Sequence, residues 1–123
     1  MKNLKVIRPV LPATDMSAEL KFFDLLGFQS IYDSQLYFDK LDYAVLQRDG
    51  LEIHVQLQQQ KDLPTSDKAQ TIRILVNDLN AIEKELTDKG FQFKRQDNTA
   101  WETNEFRIHS PAHNAIIFQE DSK

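Results

Sequence analysis

The apolar positions of the chain change period several times, and each change marks an element. Val6 to Leu11 is a run of strand-forming residues, with Pro9 inside it. A proline cannot donate to a sheet ladder, so this strand is expected at an edge, at a bulge, or as an arm reaching another subunit. Met16, Leu20, Phe23 and Leu26 then follow at three- and four-residue spacing, which places them on one helical face. Thr14 or Asp15 can cap that helix, because a short side-chain oxygen accepts from the free N–H groups of the first turn. Gly27 stands where a left-handed terminator is needed. Phe28 to Tyr32, Tyr43 to Arg48 and Leu51 to Leu57 read as strands, and Asp49-Gly50 between the last two is a hairpin signal. Residues 5–57 therefore read as a βαβββ module.

The same succession returns after a polar stretch, 58–68, that holds Pro64 and is expected to be a linker. Thr71 to Val76 is a strand. Asn77 or Asp78 caps a helix whose buried face is Leu79, Ile82 and Leu86, and Gly90 ends it. Phe91-Gln92-Phe93 begins the next strand. Residues 94–104 are loop-like apart from Trp101. Glu105 to His109 and Ala115 to Gln119 form the last pair, turned by residues 110–114. The second module spans 69–120. A constant offset of 63 residues aligns Asp15 with Asp78, Gly27-Phe28-Gln29 with Gly90-Phe91-Gln92, Tyr43-Ala44-Val45 with Phe106-Arg107-Ile108, and Ile53 and Gln56 with Ile116 and Gln119. The expected class is α+β, with two tandem βαβββ modules fused in one domain, 1–123. Each half alone is small enough to be marginally stable.

Composition removes whole function classes. With 41% hydrophobic and 28% charged residues the chain belongs among globular proteins, not disordered ones. The net charge is −4 and no basic cluster is present, which argues against nucleic acid as a partner. The absence of cysteine excludes disulfides, thiolate nucleophiles and cysteine metal sites. No window approaches a membrane span, and Met1-Lys2-Asn3-Leu4-Lys5 lacks the apolar stretch of a signal peptide, so a cytoplasmic location is expected.

Several stretches together resemble the vicinal oxygen chelate superfamily, which holds glyoxalase I, extradiol dioxygenases, fosfomycin-resistance transferases and bleomycin-resistance proteins. The text is most similar to the bleomycin-resistance branch. Pro9-Val10-Leu11-Pro12-Ala13-Thr14-Asp15 resembles its opening strand and cap, and Phe22-Phe23 with Leu26-Gly27-Phe28 its helix end. Leu46-Gln47-Arg48-Asp49-Gly50-Leu51-Glu52 resembles its hairpin. Trp101, Glu105-Phe106 and Ser110-Pro111-Ala112-His113-Asn114 resemble its closing motif, with Ser110 in place of an Asp and His113 in place of a Gly. The resemblance implies a curved mixed sheet around a cleft. It maps the superfamily's metal positions to Arg8, His54, Thr71 and Ile117, at which only His54 offers a good ligand. Arg8 is cationic, Thr71 is a poor neutral donor, and Ile117 offers no donor at all. No metal and no cofactor are therefore expected.

The resemblance implies metal-free binding and sequestration of an antibiotic-like small molecule by a homodimer, with Pro9 in an exchanged arm. The expected ligand contacts are Arg8, Phe38, Tyr43, Glu52, His54, Trp101 and Phe106. Trp101 in a polar loop suits a stacking platform, or it caps the core. Phe38 and Tyr43, with Tyr32 and Tyr37, either line the cleft or pack the sheet. Arg8 pairs with a ligand anion or with Glu52. His54 with Glu52 is either a base and its orienter or a polar pocket wall. The resemblance implies stacking on flat rings of a ligand, and the acidic balance suits a cationic one. The alternatives are a metal-dependent lyase or dioxygenase of the glyoxalase type, and a non-catalytic protein-interaction module.

Overall fold

A computed structural model describes residues 1–59 and 70–122. The chain divides into two compact units, Met1–Leu63 and Pro64–Lys123. Most of the expected linker, from residue 60 onward, lies outside the described residues.

The first unit comprises β1 (Val10–Ala13), α1 (Met16–Leu25), β2 (Gln29–Asp33), the short α2 (Gln35–Phe38), β3 (Tyr43–Arg48) and β4 (Leu51–Leu57). Its sheet runs β1-β4-β3-β2, with β1 parallel to β4 and the other pairs antiparallel. Asp15 caps α1, accepting from the Ala18 N–H at 3.1 Å. The Asp49-Gly50 turn forms as its sequence predicts, with both residues at positive φ (52° and 80°). The core lies between α1 and one face of the sheet, where Phe23, Leu26, Phe28, Ala44, Leu46, Ile53 and Val55 are buried. Two details differ from the periodicity. Glu19, not Leu20, lies in the buried stripe of α1. β1 begins at Val10 instead of Val6, and its last contact with β4 in that direction is the His54 N–H donating to the Pro9 carbonyl. Residues 1–8 lie outside any strand and are exposed.

The second unit comprises β5 (Thr71–Leu75), α3 (Leu79–Asp88), β6 (Thr103–His109) and β7 (Ala115–Asp121), with sheet order β5-β7-β6. Asp78 caps α3 as Asp15 caps α1, by an acceptor bond from Ala81 N–H at 3.1 Å. Leu79, Leu86, Phe106, Ile108, Ile116 and Phe118 are buried, while Ile82 is only half-buried. The strand expected from Phe91 does not form. A single isolated bridge, Gln96 to Glu105, stands in its place. Phe93 stacks on Phe106 with ring centroids 4.0 Å apart, and the neighbouring Arg95 donates to Asp97 and to Asn80 and Glu83 on α3. These side-chain anchors accompany an approach to β6 that makes no continuous ladder. No helix among the described residues is long and apolar enough to cross a membrane.

The parallel ladders obey the 63-residue offset. Val10 pairs with His54 in β1–β4, and Arg73 pairs with Ile117 in β5–β7. The antiparallel hairpins do not. Tyr43 lies opposite Gln56, whereas the residue opposite Gln119 is Glu105, not Phe106. β6 is therefore displaced by one residue from the sequence alignment, and a one-residue displacement exchanges the two faces of a strand. The burial agrees: Phe106 and Ile108 take the core places that Ala44 and Leu46 hold in the first unit.

Candidate functional site

On the face of the first sheet away from α1, four expected site residues come together. His54 points from the centre of β4. Its Nε2 lies 2.8 Å from Glu52 Oε2, and its Nδ1 lies 2.6 Å from the Tyr43 hydroxyl on β3. A carboxylate only accepts, so Nε2 carries a hydrogen toward Glu52, and Nδ1 shares a hydrogen bond with the tyrosine hydroxyl. The Arg8 Nε also pairs with Glu52 Oε2. The hydrogen bond from His54 is the largest influence on the Glu52 carboxyl; burial opposes it, and the Arg8 charge helps hold the carboxyl below its ordinary value of 4.5. Both ring nitrogens of His54 are thus committed within the protein. Phe38 is not part of this group. It sits on α2 with its ring largely exposed, beside the stacked pair Tyr32 and Tyr37.

The metal positions implied by the resemblance do not form a donor set. Arg8 is ion-paired to Glu52, Thr71 is exposed at the start of β5, and Ile117 is fully buried with no donor atom. Ile117 pairs with Arg73 on one side and Arg107 on the other, and two guanidinium groups beside it oppose a cation. Among the described residues no three His, Cys, Asp or Glu side chains gather where they could hold a metal ion.

In the second unit Trp101 stands at a pocket of about 360 Å³. The turn that displays it is tightly tied: Thr99 N–H donates to the Thr103 carbonyl, Glu102 N–H to the Thr99 carbonyl, and Ser122 N–H to the Glu102 carbonyl. Asn98 and Glu102 on either side are left-handed (φ 52° and 67°), a conformation disfavoured for residues with a Cβ. The indole N–H donates to Glu105 Oε1 at 2.7 Å, and the ring remains more than half exposed. The same oxygen accepts from the Thr103 hydroxyl at 2.6 Å and from Arg73 Nη1 at 3.1 Å. Arg73 Nη1 also donates to Gln119 Oε1 at 2.9 Å, and its guanidinium carbon lies 6.0 Å from the Trp101 ring centroid. Burial raises the Glu105 pKa, but the donors Thr103, Trp101 and Arg73 outweigh it and hold the carboxyl below 4.5. Lys94 and Arg107 complete the charged lining, and Phe106 forms part of the wall.

Of the residues expected from sequence, Trp101 and Phe106 thus share this pocket, although Phe106 is mostly a core residue, 2% exposed. Arg73, Lys94, Glu105 and Arg107 were not singled out by the sequence. A signal was present in the strands Thr71-Ile72-Arg73-Ile74 and Phe106-Arg107-Ile108. An arginine between two inward-facing apolar residues of a strand necessarily projects from the opposite face.

No family model matches the sequence, and no curated protein matches it either. Solved structures do match it along nearly their whole length. A bleomycin-binding protein complexed with bleomycin superposes with a TM-score of 0.79 at 15% identity, covering 96% of this chain and 99% of that one. A bleomycin resistance determinant encoded on the transposon Tn5 also gives 0.79 at 15% identity, covering 98% and 100%. A glyoxalase/bleomycin resistance protein from Catenulispora acidiphila gives 0.70 at 18% identity, covering 93% and 96%. The chain has the α+β fold shared by bleomycin-resistance and glyoxalase/dioxygenase proteins.

Proposed function

We propose that this protein binds a small molecule and sequesters it without chemical change, in the manner of the bleomycin-binding proteins whose fold it shares. The observation that carries the reading is Trp101. A large ring held in place by a hydrogen bond at one edge, exposed over much of its surface and bordering a pocket, has the form of a stacking platform. His54 supports the absence of chemistry, because both of its nitrogens are engaged by Tyr43 and Glu52. The donor-poor metal positions support it further.

The working form of the protein is a homodimer. Leu4, Val6 and Ile7 are 95%, 63% and 90% exposed in the segment that precedes β1, and that strand lies at the edge of its sheet. An exposed apolar segment next to an open sheet edge is suited to pairing with a second copy, and Pro9 marks where the segment departs from the ladder. Light scattering on the full chain and on a variant lacking residues 2–8 separates dimer from monomer. A full chain that runs as a monomer at all concentrations removes this part of the reading.

A thermal-shift screen tests the binding. Bleomycin-type glycopeptides, other aromatic antibiotics and divalent metal ions are compared in parallel. A ligand present at a hundred times its Kd stabilises the folded state by about 2.7 kcal/mol. Stabilisation by one of the organic ligands and loss of that effect in Trp101→Ala is the expected result. Stabilisation by metal ions alone favours the metal-dependent lyase or dioxygenase reading instead.

A further inference from the structure

We infer that the Trp101 pocket selects a flat aromatic molecule carrying a negative charge, such as an aromatic carboxylate. The inference rests on the small-molecule-binding reading above and assigns the charge of the ligand. Three cationic side chains, Arg73, Lys94 and Arg107, line the pocket against one carboxylate, Glu105. That carboxylate is already satisfied: one of its oxygens takes bonds from Trp101, Thr103 and Arg73. The side chains of Lys94 and Arg107 have no ion-pair or hydrogen-bond partner among the described residues. Two uncommitted cations therefore border an exposed indole in a chain whose net charge is −4.

The internal repeat supplies a comparison. In the second sheet Ile117 lies between Arg73 and Arg107 on the neighbouring strands. In the first sheet the same ladder positions hold His54 between Val10 and Val45. Residues directly paired across strands project on the same face. One unit thus flanks a polar ring with two valines, and the other flanks a buried isoleucine with two guanidinium groups. Sheet architecture does not require the arginines, since the equivalent places accept valine. Arg73 borders the Trp101 ring, while Lys94 and Arg107 supply the positive charge for an acid group; guanidinium is well suited to a planar carboxylate. The pocket volume, about 360 Å³, suits a small ring system with one acid substituent.

The test uses three probes of one shape on the full chain: 2-naphthoate, the neutral 2-naphthamide and the cationic 2-naphthylmethylammonium. Affinity is read by titration calorimetry, and the site by the indole N–H resonance of Trp101, the only tryptophan. The expected result is 2-naphthoate binding at least about tenfold more tightly than either other probe, a difference of about 1.4 kcal/mol, with the Trp101 resonance shifting. In the double variant Lys94→Ala/Arg107→Ala, shown to be folded by circular dichroism, the preference falls to near unity. Equal or tighter binding of the amide or the ammonium probe overturns the charge assignment and leaves the binding reading standing. An undiminished preference in the double variant also overturns it. No movement of the Trp101 resonance with any probe at millimolar concentration overturns both readings.

Discussion

The indole N–H of Trp101 and the carboxylate of Glu105 are joined across 2.7 Å, and the accepting oxygen is shared with Thr103 and Arg73. One acid therefore positions an indole, a hydroxyl and a guanidinium together. Glu105→Ala leaves three donors without this acceptor, of which only the Thr103 hydroxyl is buried, and is expected to cost about 1–2 kcal/mol. Glu105→Gln keeps an acceptor and is expected to cost about half as much. Urea denaturation measures both; an alanine variant as stable as the parent contradicts the network's role.

Acid should weaken the fold in a defined direction. Glu105 and Glu52 both have folded-state pKa values below 4.5. A depressed carboxyl contributes stability that is present above its unfolded pKa and is lost as pH falls through its folded pKa. Stability is thus expected to hold above about pH 5 and to decline at lower pH. The variant Glu105→Gln should show a shallower decline than the parent in denaturation curves taken at successive pH values. Identical slopes would remove Glu105 from the account.

Two glycines at equivalent places should differ in tolerance. Gly27 and Gly90 both lie at positive φ, 87° and 93°. A Cβ at Gly90 meets nothing within 4 Å, whereas at Gly27 it falls 2.8 Å from Arg48 Nη1, which donates to the Leu26 carbonyl at 2.6 Å. Alanine at either place carries the left-handed penalty of about 1–2 kcal/mol. Gly27→Ala should cost roughly 1 kcal/mol more, because it also displaces the arginine from a half-buried hydrogen bond. Thermal melting of the two variants decides this.

His113 holds the left-handed position of the β6–β7 turn, with φ at 67°. The resembling family carries glycine there. His113→Gly should relieve the backbone and, after the added unfolded-state entropy of glycine, stabilise by about 0.5 kcal/mol. A lower melting temperature would show that the histidine side chain contributes something beyond its backbone shape.

Local chemistry was the most legible part of the sequence. The capping aspartates, the terminating glycines, the Asp49-Gly50 hairpin and the bounds of β3 and β4 follow from short-range rules that tertiary contacts did not override. Strands that depend on a partner were read less well. Val6 to Arg8 has strand-like residues but makes no ladder with the sheet, and the Phe91 to Phe93 stretch meets β6 through the Phe93 ring on Phe106 without a continuous ladder. Four exposed residues, Gln35 to Phe38, close into a helical turn that no period announces. The site was half visible. Trp101 stood out as an aromatic in polar surroundings, and Glu52 with His54 stood out by alternation. Arg73, Glu105 and Arg107 did not, because their convergence depends on the register of β5 and β6 against β7 and on the face each residue then takes. Net charge is no guide to this pocket, since a whole-chain sum says nothing about where cations collect.

The one-residue displacement of β6 has a consequence for how such a duplicated protein can change. A strand carries two alternative sets of side chains, and the loops at its ends choose which set is displayed. Between equivalent ladder positions the turn from β6 to β7 holds one residue more than the turn from β3 to β4. A single insertion, compensated before the strand, can bring a glutamate and an arginine to a surface that would otherwise show a phenylalanine and an isoleucine. Two copies that begin alike can thus acquire unlike surfaces without any substitution inside the strand, and loop length becomes as direct a lever for redesigning this pocket as the residues that line it.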